Sequence, residues 1–235
     1  MLEKDIQEIL FSEEQLAQRV KEIAGEINRD YVGQEIMLVS VLRGSFVFMA
    51  DLCRRIDLPC TVDFMAVSSY GGGTSSSGQV QITKDLSSDI TGKNIIVVED
   101  ILDSGNTLSY LLKVLEQRSP ASIRLCTLLD KPERRVKPVE VHYSGFTIPD
   151  AFVVGYGLDY AEHYRNLPYI GILKPESTAL SRRDLEGGGL LKFVIRRKGR
   201  GFPETVQRAG PDLLSAGHPG DGVHLQCGAA DERAG

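Results

Sequence analysis

The stretch Val97-Val98-Glu99-Asp100-Ile101-Leu102-Asp103-Ser104-Gly105-Asn106-Thr107-Leu108 decides the fold. Together with Ile95 and Ile96 its apolar start reads as a buried strand ending in two adjacent carboxylates. A third carboxylate follows three residues on, and then a small, hydroxyl-bearing turn opens a helix. Ligands of open α/β sheets bind at the carboxyl ends of strands, so this chemistry meets in one crevice. The unpaired backbone N–H groups of Ser104 to Thr107, at the positive end of a helix, form an anion nest that the Ser104 and Thr107 hydroxyls extend. Gly105 removes a Cβ that would obstruct close approach, and Glu99 and Asp100 are acceptors suited to the vicinal hydroxyls of a ribose. The segment therefore reads as a socket for a ribose 5-phosphate. The competing reading is a plain capped helix with Asp103 as its N-cap. A cap needs one such residue, whereas Glu99 and Asp100 would repel each other without cations or hydroxyl ligands.

Outward from this segment the chain alternates strand and helix. Ser12 and Gln15 have capping-box spacing, and Leu16, Val20, Ile23 and Ile27 repeat at helical intervals, which predicts an amphipathic helix from Ser12 to Asn28. The apolar run Ile36 to Val41 reads as a buried strand, with a helix following Gly44 toward Ile56. Further strands are predicted over Thr61 to Val67, Ile95 to Val98 and Ile123 to Leu129, and a helix over Ser104 to Gln117. Short strands around Phe152 to Gly155 and Tyr169 to Leu173 complete a small lobe. The fold class is α/β: a twisted, mostly parallel sheet with flanking helices.

Residues 68–78, Ser-Ser-Tyr-Gly-Gly-Gly-Thr-Ser-Ser-Ser-Gly, cannot fill a core and have little conformational preference. A plain linker is one reading; long insertions in compact domains are more often lids or binding loops, which favours a lid. From Ser177 onward the chain is glycine-rich with little sustained periodicity and reads as a disordered or atypical tail, over 177–235. Its Arg196-Arg197-Lys198 cluster reads as a solvated charge run.

Composition narrows the class. With 235 residues, 42% hydrophobic and 25% charged, the chain can bury one good core and a small second lobe. A net charge of −5 argues against a generic grip on nucleic acid or an anionic membrane. The apolar runs are too short to span a bilayer, and Glu3 and Asp5 stand where a signal peptide would be basic, so a cytoplasmic location is expected. Cys53, Cys60, Cys126 and Cys227 form no CxxC pair; the first three suit buried thiols, with no zinc or disulfide framework.

The segment around Glu99 to Leu108 resembles the PRPP-binding signature of type I phosphoribosyltransferases, and Walker A and GxGxxG patterns are both absent. Three further segments resemble the hypoxanthine-guanine branch of that family. Leu42-Arg43-Gly44-Ser45 is similar to its pyrophosphate loop, which implies a cis peptide between Leu42 and Arg43 and a pyrophosphate grip through Arg43 and Gly44; relatives often carry lysine where Arg43 stands. Leu128-Leu129-Asp130-Lys131-Pro132 matches the segment whose lysine, here Lys131, hydrogen-bonds the purine O6. Ile148 to Tyr160 resembles the base-binding segment, which implies that Phe152 stacks on the purine, the Val153 backbone reads its edge and Asp159 ligates Mg²⁺. Arg165 is implied to contact pyrophosphate, and Ser69 and Tyr70 to close over it as a lid. Ala151 and Asn106 differ from the lysine found in some relatives.

The resemblance covers about Asp5 to Pro175, and the tail looks foreign to the family, either an unusual extension or an altered reading frame. It implies a domain over 1–176, with a hood from the N-terminal segment and 140–175. The implied activity is ribosyl 5-phosphate transfer from PRPP to N9 of hypoxanthine or guanine. Mg²⁺ is its implied cofactor, held by Glu99, Asp100 and Asp159, and Asp103 its general base. A homodimer or homotetramer is implied as well. The alternatives are a xanthine-preferring enzyme and a PRPP-sensing regulator that binds nucleic acid; the acidic balance and the intact Asp103 and Arg43 speak against the regulator.

Overall fold

Alternating apolar runs and amphipathic helices build a three-layer sandwich in the computed structural model, which describes residues 2–69, 80–174 and 177. The elements in chain order are β1 (Ile6–Phe11), α1 (Glu13–Asp30), β2 (Ile36–Leu42), α2 (Phe46–Cys53), β3 (Cys60–Ser69), β4 (Val80–Lys84), β5 (Asn94–Leu102), α3 (Asn106–Glu116), β6 (Ser122–Asp130), β7 (Tyr143–Thr147), β8 (Val153–Val154) and β9 (Ile170–Leu173). The main sheet has the order β4-β3-β2-β5-β6-β7 and is parallel except for β4, which pairs antiparallel with β3.

Each helix covers the face its apolar stripe selects. Leu16, Val20, Ile23 and Ile27 of α1 join Phe48, Met49 and Leu52 of α2 over Leu38, Ile96, Val98 and Cys126 of the sheet. On the opposite face Leu108, Leu111 and Leu115 of α3 pack on Met37, Val39, Ile95 and Val97. Alternate residues of one strand thus feed different cores, as a pleated strand buried on both sides requires. The capping box at α1 is complete: Ser12 N–H donates to Gln15 Oε1 at 2.8 Å, and Gln15 N–H donates to Ser12 Oγ at 3.3 Å.

The sheet order positions the site. From β2 the chain crosses through α2 to β3 on one side; from β5 it crosses through α3 to β6 on the other. Strand order therefore reverses between β2 and β5, and there the loops leaving their carboxyl ends diverge to leave a crevice. The pairing shows the opening, because β5 stays with β2 only as far as Ser40↔Val98 and with β6 as far as Leu102↔Asp130.

A second, three-stranded antiparallel sheet, β1-β9-β8, forms the small lobe. It encloses Val154, Leu167 and Leu173, with Ile6 and Tyr164 against them. Of the 140–175 segment expected for this lobe, Tyr143–Thr147 instead pairs with β6 and completes the main sheet. Cys126 is buried, and burial pushes its thiol up; Cys53 and Cys60 are free and only half-buried, short of the burial expected of them. Cys227, the rest of the expected tail and the stretch 70–79 lie outside the described residues.

Candidate active site

The acidic residues stand within β5 and not beyond it. The strand predicted to end at Val98 runs on to Leu102, because β6 continues to pair with it after β2 has left. Glu99 and Asp100 thus project from a strand that is still hydrogen-bonded on one side only. Glu99 Oε2 is enclosed and has no hydrogen-bond partner, and burial, reinforced by the neighbouring Asp100 charge, pushes its pKa well above the usual carboxylate range. Burial also raises Asp100, to about 6, opposed by backbone N–H donors and by the Arg165 charge and assisted by the Asp159 charge.

Beyond Leu102 the chain turns through Asp103, Ser104 and Gly105 into α3, whose first residue is Asn106 and not Ser104. Gly105 occupies the N-cap position at φ +79° and gives no side-chain cap, so the alternative role of Asp103 as a helix cap falls away. The carbonyls of Asp103 and Ser104, which would accept from the first helical amides, are taken by Arg135 Nε (3.0 Å) and by the N–H groups of Val136 (2.9 Å) and Lys137 (3.0 Å) respectively. Among the described residues, the N–H groups of Thr107 and Leu108 have no partner and point out of the helix start, as an anion nest requires. Gly105 has a different reason from the one expected: a Cβ there would lie 2.6 Å from the Lys137 carbonyl oxygen. The protein's own 135–139 segment, more than a ligand, demands the glycine, and the left-handed φ independently favours it.

The loop after β2 approaches the acids from the other side of the crevice. The Leu42–Arg43 peptide is cis. A Cβ on Gly44 would sit 1.6 Å from Asp100 Oδ2, so this backbone abuts the carboxylate. Two buried serines to which the sequence assigned no role of their own, Ser40 and Ser45, brace the turn. Ser45 Oγ donates to the Val41 carbonyl at 2.6 Å, which leaves Ser40 Oγ to donate to Ser45 Oγ at 2.7 Å. A serine inside the apolar run Ile36 to Leu42 was the available signal.

Four charged residues line the outer side of this loop. Both terminal nitrogens of Arg43 meet the Glu162 carboxylate, at 3.0 and 3.1 Å, and Arg165 reaches Glu162 at 3.6 Å and Asp159 at 2.7 Å. Arg165 also donates to the Gly157 carbonyl at 2.8 Å, and Gly157 in turn packs on Gly44, where a Cβ would lie 2.1 Å from its carbonyl oxygen. The structure therefore brings Arg43, Gly44, Asp159 and Arg165 together beside Asp100. Glu162, not singled out in the sequence, is part of the same cluster.

The remaining wall comes from the ends of β6 and β8. Lys131 is 7% exposed; its N–H donates to the Leu102 carbonyl at 3.0 Å and its ammonium to the Ala151 carbonyl at 2.6 Å. One residue further on, Phe152 is 51% exposed, its ring perpendicular to that of Tyr160 with centroids 5.3 Å apart. A large aromatic left open beside a buried ammonium offers a flat stacking surface and a donor to one planar ligand. Val153 is buried in β8, the outer strand of its sheet, which leaves one flank of its backbone unused by β9. Ser69 ends β3, and Tyr70 lies outside the described residues.

Among the described residues no three His, Cys, Asp or Glu side chains converge to hold a metal ion by themselves. The enclosed, partnerless Glu99 oxygen and the raised Asp100 do fit a site completed by ligand groups. Mg²⁺ commonly takes one or two carboxylates and fills its other positions with substrate oxygens and water.

A family model described as "Phosphoribosyl transferase domain" matches residues 7–161, which sets the class. The chain is 50% identical over 176 residues to the hypoxanthine-guanine phosphoribosyltransferase of Streptococcus thermophilus, covering 75% of this chain and 98% of that protein. It is 51% identical over 175 residues to the Bacillus subtilis enzyme of the same name, covering 74% and 97%. The chain belongs to the hypoxanthine-guanine phosphoribosyltransferase family. Among solved structures, a hypoxanthine phosphoribosyltransferase from Staphylococcus aureus matches with a TM-score of 0.73 at 50% identity, covering 75% of this chain and 96% of that one. The bifunctional TilS/HprT proteins of Listeria are 52% identical over 175 residues, and the chain spans about a quarter (27%) of their length.

Proposed function

We propose that this chain transfers the 5-phosphoribosyl group of PRPP to N9 of hypoxanthine or guanine, giving IMP or GMP and pyrophosphate, a purine-salvage reaction. One observation carries the reading: the crevice between β2 and β5 joins an open amide nest, enclosed acids and a lysine-and-aromatic wall within one set of loops. The nest at Ser104 to Thr107 takes the 5-phosphate, and Glu99 and Asp100 take the ribose hydroxyls. Arg43, the Gly44 backbone and Arg165 hold the pyrophosphate. Phe152 stacks on the base, Lys131 donates to its O6 and the Val153 backbone reads its edge. Asp103 accepts the N7 proton as N9 attacks, and the Ser69-Tyr70 loop excludes water.

Glu99, Asp100 and Asp159 would hold Mg²⁺, which when bound would supply charge stabilisation for the departing pyrophosphate. Among the described residues no helix is long and apolar enough to cross a membrane. Assembly as a dimer or tetramer belongs to the same reading, and Phe46 on α2 (45%) and Val62 on β3 (44%) are large apolar side chains left exposed.

The test is a steady-state assay of the full chain with PRPP, Mg²⁺ and each of hypoxanthine, guanine, xanthine and adenine. Turnover with the first two and none with adenine is expected. Preference for xanthine would shift the reading to the related enzyme, and RNA or DNA retention on a filter without pyrophosphate release would favour the regulator.

A further inference from the structure

Arg134 was not marked by any motif, yet its guanidinium spans the base side of the crevice. Nε stands 3.1 Å from Asp103 Oδ1, and Nη1 lies 3.3 and 3.4 Å from the two Asp150 oxygens. Asp150 also lies 3.8 Å from the Lys131 ammonium and precedes Phe152 by two residues. The Arg134 N–H donates to the Lys131 carbonyl at 3.2 Å, so the short turn after β6 carries both cations on one rigid corner. The adjacent Arg135 has another task, since its side chain donates to the Leu102 and Asp103 carbonyls and pairs with Asp130.

We propose that Arg134 is a positioning residue for the transfer reaction: it ties the carboxylate of Asp103 to the loop that carries the stacking ring of Phe152, and so sets the distance between the purine and its proton acceptor. The inference rests on Asp103 as that acceptor. Two features separate this from an ordinary surface ion pair. First, Asp103 Oδ1 is enclosed and the approach of Arg134 Nε lacks hydrogen-bond geometry, so the charge orients the carboxylate through this oxygen and leaves Oδ2 to take the incoming proton. Second, one guanidinium meets carboxylates from two separate segments, Asp103 after β5 and Asp150 before β8, and because all three side chains are about half-exposed its removal should cost little stability. A planar fork suits two carboxylates at once, which a lysine ammonium does not reproduce.

The experiment compares wild type with Arg134→Gln, Arg134→Lys, Asp103→Asn and the Arg134→Gln/Asp103→Asn double variant. The readouts are kcat, KM for hypoxanthine, the Kd for PRPP with Mg²⁺ by calorimetry, and Tm. Arg134→Gln is expected to lower kcat about tenfold and raise the purine KM several-fold, since errors of about 1 Å in placement cost up to about 10²-fold. Its PRPP Kd and Tm stay at wild-type values, and Arg134→Lys recovers part of kcat. In the Asp103→Asn background the second substitution adds less than about twofold, because both act on one proton transfer. Multiplying effects, or unchanged kcat and purine KM in Arg134→Gln, would overturn the inference and leave the Asp103 assignment standing. Near-normal turnover in Asp103→Asn would overturn the Asp103 assignment and the inference together.

Discussion

Replacing Gly44 by alanine separates catalysis from folding. The added Cβ would lie 1.6 Å from Asp100 Oδ2 and 2.5 Å from its Cγ, where ordinary contact begins at 3.4 Å. The carboxylate must therefore retreat by about 1.8 Å, the gap between 1.6 and 3.4 Å, or the loop after β2 must lift away by as much. The obstructed atoms belong to a side chain that can rotate, so the cost in stability is modest, about 1 kcal/mol. The cost in function is larger, because misplacing a positioning group by about 1 Å typically loses about 10²-fold in rate. We expect Gly44→Ala to lower kcat/KM for PRPP about 10²-fold while Tm falls by only a few degrees, read by pyrophosphate release and thermal unfolding on the same preparation. A variant with unchanged kcat/KM would refute the claim that the Gly44 backbone must lie against Asp100.

Gly157→Ala should behave differently. Its Cβ would meet the Gly44 backbone carbonyl at 2.1 Å from a residue at φ +101°, so Tm and activity should fall together, with about 1–3 kcal/mol lost in denaturant unfolding. Asp103→Asn should lower kcat about 10²–10⁴-fold while calorimetry still detects PRPP binding. Lys131→Ala should weaken selection for 6-oxopurines, seen as a smaller ratio of hypoxanthine to adenine turnover. Asp63 should contribute to acid sensitivity: burial disfavours its charge, but the N–H groups of Phe64 (2.8 Å) and Ser87 (2.6 Å) and the Lys84 ammonium outweigh burial and hold its pKa below the usual range. A depressed folded-state pKa stabilises above the unfolded value of about 3.9 and loses that contribution as pH falls through the folded value. Asp63→Asn should thus cost about 1–3 kcal/mol at neutral pH, with the difference from wild type shrinking below about pH 4 in urea titrations.

Much of the architecture was legible because its signals are local. The Ser12 and Gln15 capping box and the stripe Leu16, Val20, Ile23 and Ile27 place α1, which ends at Asp30, two residues beyond the prediction. The apolar run at Ile36 places β2 to within a residue at its end. Strands β1, β4 and β7 escaped notice because Ile6–Phe11, Val80–Lys84 and Tyr143–Thr147 are short and lie at sheet edges or in the small lobe. Their apolar pattern is partial because only one side is buried, and their partners are chosen by the tertiary fold; Ile6, for example, pairs with Leu173. The length of β5 was misjudged for a related reason, since polar Glu99 and Asp100 look like a strand end unless the pairing of Ile101 with Leu129 is known.

The candidate site divides in the same way. Residue types and their spacing along one segment determined the open amides at the helix start, the acids and their order, because a strand, a turn and a helix start are contiguous in the chain. Only the tertiary structure decided that Gly44 lies against Asp100, that Gly105 is demanded by Lys137, that Glu162 joins Arg43 to Arg165, and that Arg134 bridges Asp103 and Asp150. Apart from the neighbouring pair Glu162 and Arg165, these contacts join residues distant in sequence, at distances set by crossover connections and loop packing, and no local periodicity encodes them.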